Sequence, residues 1–231
     1  MKFKRILAAF LSVLCLASCE EFLTEDPTTS LSEGTVYSNE ANLEAGVIGV
    51  YWSLKTSNYS WTTQMSEFCS FPSILIHWKD NRTAENYIQC LRLTMFPHSA
   101  ENQGLYDYLY ASIYKCNKMI EAMIDSPVDQ TYKNEIEGEV KFIRAWQYFA
   151  AVRFWGDIPL ILNTPKNIDE TDAPRVHYME VYKQILSDIE YAEQNMRTPE
   201  RVAEVGGMTG RPNRWAATAL KASVYMQIAC L

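Results

Sequence analysis

Five residues in one stretch of the chain combine shapes that suit a polyhydroxylated ring. Tyr59, Trp61 and Trp78 offer flat aromatic faces, and Asn81 and Arg82 offer planar groups that can bond neighbouring hydroxyls. A pyranose needs both, because its C–H faces settle on aromatic rings while its hydroxyls donate and accept. These residues fall within 58–102, a stretch without sustained periodicity that also carries Phe68, Phe71-Pro72 and Phe96-Pro97. So long an irregular segment inside a domain is usually functional. Residue types alone leave Trp78 two roles, a stacking face or a plug for the core beneath the loop.

Other chemistries find less support. Glycoside cleavage uses two carboxylates about 5–10 Å apart, and Asp80, Glu85, Glu101 and Asp107 supply carboxylates with no marked pair. His77, His98 and His177 stand alone, outside any H-E-x-x-H pattern, so a metal centre is not expected. There is no G-x-S-x-G, no P-loop and no dinucleotide fingerprint. The glycine-rich run Gly206-Gly207-Met208-Thr209-Gly210-Arg211 follows a helical pattern rather than a strand and reads as a connection. The expectation is a binding protein, not an enzyme, with no cofactor. A formal net charge of −7 argues against nucleic acid as a partner, since an acidic surface repels phosphate backbones.

The N-terminus speaks to location. MKFKR is a basic opening and ILAAFLSVLCL an apolar run too short to span a bilayer, as in an export signal. It ends in Leu16-Ala17-Ser18-Cys19, which looks like a bacterial lipobox, with Cys19 as the lipidated residue. The reading is a signal peptide over 1–18, an acylated Cys19 with an acidic tether over 19–38, and a helical domain over 39–231. Glu20, Glu21, Glu25 and Asp26 make the tether a solvated spacer. Cys69, Cys90, Cys116 and Cys230 remain in the domain, open to disulfides or to burial as small hydrophobes.

The elements that must position the loop residues are helical. Leu43, Val47, Val50, Tyr51 and Leu54 form one stripe, entered at Ser38 or Asn39. A second helix over 103–125 carries Leu105, Tyr108, Leu109, Ile113, Cys116, Ile120 and Met123, and a third runs from about Gln130 to Trp155. The fourth uses Tyr178, Val181, Tyr182, Ile185, Ile189, Ala192 and Met196; the fifth starts at Asn213 and uses Trp215, Leu220 and Val224. Residues 156–176 and 198–212 read as excursions. Amphipathic helices in succession predict an all-α fold of helix pairs, a solenoid or bundle with long inserted loops, although no strict 34-residue repeat is present. Within the third helix, Phe142, Ala145, Trp146, Phe149, Val152 and Arg153 share a face, and aromatic stripes at helical spacing usually pack. Gly156 is placed to end that helix in the left-handed region, with Pro159 blocking resumption.

That third helix also carries a resemblance. The run from Gly138-Glu139 through Phe142-Ile143-Arg144-Ala145 and Tyr148-Phe149 to Gly156-Asp157-Ile158-Pro159-Leu160 resembles the signature of SusD/RagB-family outer-membrane lipoproteins. Val181-Tyr182, Ile185, Asp188-Ile189 and Ala192 agree in order, as do Gly210-Arg211 and the Ala216 to Tyr225 run. The resemblance implies irregular tetratricopeptide-like helix pairs and non-enzymatic binding of oligosaccharides. It also implies delivery to a TonB-dependent (SusC-like) outer-membrane transporter, with the lipid anchor holding the protein at the cell surface. His77-Trp78-Lys79-Asp80-Asn81-Arg82 is similar, in placement and in its Trp-x-x-Asn spacing, to a glycan-contacting loop of starch-binding relatives. It implies that Trp78 stacks on a sugar ring, that Asn81 bonds hydroxyls, and that Arg82 does so too or sits at the rim. In some relatives the cargo is peptide, and a helical scaffold that only docks the transporter is the remaining alternative. Family members are longer, so the chain is expected to be the N-terminal portion of such a protein, with the C-terminal half of the fold missing.

Overall fold

The computed structural model describes residues 37–54, 100–167, 170, 172–204 and 210–231. They lie in one compact unit, Tyr37–Leu231, built from helices in sequence. Helix α1, Glu40–Ser53, is capped by Asn39, whose side chain accepts from the Asn42 amide at 2.9 Å. Helix α2, Ala100–Ile124, and α3, Gln130–Trp155, flank a short connection that folds α3 back along α2. The Asp129 carboxylate accepts from Thr131 and Tyr132 amides to start α3. Gly156, at φ 67°, closes it.

A two-residue antiparallel ladder follows, β1 (Ile158–Pro159) against β2 (Arg175–Val176), pairing Ile158 with Val176 and Pro159 with Arg175. Helix α4, Tyr178–Asn195, takes its first cap from outside itself, because Asp157 accepts from the Tyr178 amide at 2.9 Å. A short α5, Pro199–Glu204, and α6, Arg214–Ile228, complete the described elements. Asn213 caps α6 through the Trp215 amide. Each long helix packs on the next, α1 on α2, α2 on α3, α3 on α4 and α4 on α6, the nearest-neighbour pattern of a helical solenoid.

Helix α3 is the centre of this arrangement. Ile143, Ala145, Tyr148, Phe149, Ala150, Ala151 and Val152 are all buried, so the helix meets protein around most of its circumference. It is a core helix, but not on the predicted face alone: Phe142 and Trp146 are only half-buried, and Arg153 is exposed. Two apolar clusters share α3. One, with Leu105, Leu109, Tyr148, Ile185, Ile189 and Val224, joins α2, α3, α4 and α6. The other, with Leu43, Val47, Met119, Ile136 and Val140, seats α1 on α2 and α3. Cys116 and Cys230 are free thiols, the first buried and the second exposed. Burial pushes the Cys116 thiol up to about 12, so it behaves as a small core hydrophobe.

Candidate functional site

Tyr59, Trp61, Trp78, Asn81 and Arg82 lie outside the described residues, as do Cys19, Cys69 and Cys90. What the structure defines is the frame that holds both ends of their segment. Ser53, the last residue of α1, has its hydroxyl 2.9 Å from that of Ser112 in the interior. The chain therefore leaves α1 beside the middle of α2 and returns at Ala100, roughly 18 Å further along that helix at 1.5 Å per residue. Aromatic groups stand at the returning end. Trp155 donates its indole N–H to Asn102 at 3.0 Å, Tyr106 stacks on Tyr110 at 4.4 Å, and Tyr106 meets Trp155 edge-on at 5.3 Å. At the departing end Trp52 is 62% exposed.

Behind this frame, Arg144 forks onto Asp188 through two bonds of 2.8 and 2.7 Å, with both side chains almost fully buried. Its remaining nitrogen donates to Asn117 at 2.8 Å and to the Leu162 carbonyl at 3.4 Å. Asn117 in turn donates to the Ile161 carbonyl, and Gln184 donates to Asp188. The Tyr148 hydroxyl accepts from the Ile161 amide and donates to its carbonyl; Tyr110 donates to the Pro159 carbonyl. Glu121 accepts from the amide and hydroxyl of Thr164. The excursion after α3 is thus tied to α2 and α3 along its length from Pro159 to Thr164. Burial alone would lower the Arg144 pKa, but the Asp188 carboxylate outweighs it and the guanidinium stays charged.

A second network secures α1 and the approach to α6. Glu139 accepts from Arg211 at 2.8 and 2.5 Å and also accepts the Tyr51 hydroxyl. Arg211 bridges to Glu44, which accepts the Tyr132 hydroxyl at 2.7 Å and lies 2.7 Å from Arg197. Arg197 continues to Glu135, which also accepts from Arg201. Burial would raise the Glu44 carboxyl, yet bonds from Tyr132, Arg211 and Arg197 hold it below its ordinary value. Burial and the bond to Glu44 push the Tyr132 phenol up to about 12. Gly138, beside Glu139, lets α3 approach the end of α4: a Cβ there would meet the Met196 amide nitrogen at 3.0 Å.

These are the residues of the sequence signature, and they bind one another. Arg144 and Asp188 are separated by 44 residues and Glu139 and Arg211 by 72, so no local spacing marked them as partners. Residues 21–226 match the SusD-like family, described as starch-binding and associating with the outer membrane. The chain belongs to that family. SusD-like protein P25 of Formosa agariphila is 27% identical over 244 residues, covering 98% of this chain and 44% of its own length. A SusD-like protein of Bacteroides ovatus is 24% identical over 229 residues, covering 98% and 39%. The chain spans about two fifths of the length of the curated relatives it matches.

Solved SusD-like structures show the same helical fold. A SusD superfamily protein from Bacteroides vulgatus superposes with a TM-score of 0.70 at 18% identity, over 83% of this chain and 40% of its own. A laminarin-binding SusD-like protein gives 0.69 at 22% identity, over 82% and 40%. Within the SusD-like frame described above, the signature residues are clamps.

Proposed function

We propose that this protein is a lipid-anchored, glycan-binding protein of the outer membrane that presents oligosaccharides to a TonB-dependent, SusC-like transporter. The observation that carries this reading is the match of residues 21–226 to a starch-binding family. Two further points support it. The signature side chains are consumed in holding α1, α3, α4 and the approach to α6 together, so ligand contact is better sought in the irregular stretch 58–102. That stretch carries the aromatic and planar polar groups that a sugar ring needs. In this reading Trp78 stacks on a pyranose, Asn81 and Arg82 bond its hydroxyls, and Tyr59 and Trp61 extend the aromatic surface. Cys19 carries the acyl chains, the acidic tether spaces the domain from the bilayer, and no bond of the glycan is cleaved.

A laminarin-binding relative of the same fold suggests the first probe. Calorimetric titration of the full chain in mild detergent against laminarin and starch oligosaccharides should give saturable binding. Trp78→Ala should weaken it roughly tenfold or more, the effect of losing a stacked aromatic face, with the helical signal unchanged. A folded protein without affinity for any glycan would leave a transporter-docking scaffold or a peptide binder. Release of reducing ends over time would overturn the non-enzymatic reading.

A further inference from the structure

We draw no further inference here: the strongest candidate, the uncharged outer face of α1 formed by Ala41, Ala45, Ile48, Gly49 and Trp52, is exposed along the helix, but nothing among the described residues shows what covers it.

Discussion

Arg144 and Asp188 meet in the interior as one guanidinium and one carboxylate, ringed by neutral amides and carbonyls. Glu139 belongs instead to a chain of three carboxylates and three guanidiniums that runs outward to Arg201, whose side chain is 42% exposed. Both clusters hold α3, and they differ in what they connect. The first closes on elements next to α3 and on the excursion that follows it. The second reaches across the sequence to α1, to the turn after α4 and to the segment before α6. An isolated buried pair has no alternative partner when one member goes, whereas a network can re-pair. The contrast therefore predicts an unequal response to substitution.

Arg144→Ala is the severest way to test that inequality. It strands Asp188 in the core and removes the ties to Asn117 and Leu162, so denaturant unfolding should show a loss of about 3–5 kcal/mol. Replacing both partners, as Arg144→Met with Asp188→Leu, should recover much of it, because apolar side chains do not leave a charge stranded. Arg211→Ala should cost less, about 2 kcal/mol, since Glu139 keeps the Tyr51 hydroxyl and Glu44 keeps Tyr132 and Arg197. If the two losses came out equal, the distinction between lone pair and network would be wrong.

The helices were legible because their causes are local. The stripes on α1, α2 and α4, the starts at Asn39 and Asn213 and the stop at Gly156 stand in the sequence next to what they control. Orientation was less legible. The spacing puts Trp215 on the packing stripe of α6, but it is 63% exposed while Val224 is fully buried, since apolarity shows that a residue can be buried and not that a neighbour is there to bury it. Helix α5 buries no residue and so left no stripe to read. The two-residue ladder between Ile158 and Val176 is too short for an alternating pattern. The clamps could be recognised only as signature residues, because what makes them partners is the packing of distant helices. The spacing of α4 puts Tyr182 in the core, and it is buried there.

Proton uptake offers the finest separation of the two clusters. The Glu44 carboxyl titrates below its ordinary 4.5 in the folded protein because Tyr132, Arg211 and Arg197 together outweigh the effect of burial. A lowered folded value means that the unfolded chain binds protons first as the pH falls. The Glu44 contribution is therefore complete above about pH 4.5 and disappears as the pH falls through the lower folded value. Asp129 and Glu193 are lowered as well, by the α3 cap and, against the opposing effect of burial, by Lys221 and Thr218, so the wild-type acid limb is shared. Glu44→Gln isolates one component. It should cost on the order of 1 kcal/mol near neutrality, and the difference from wild type should shrink through the window below pH 4.5 while Asp129 and Glu193 titrate in both proteins. A difference that stayed constant down to pH 3 would mean that Glu44 acts through packing rather than through its charge, and that the network differs from the Arg144 clamp in size alone.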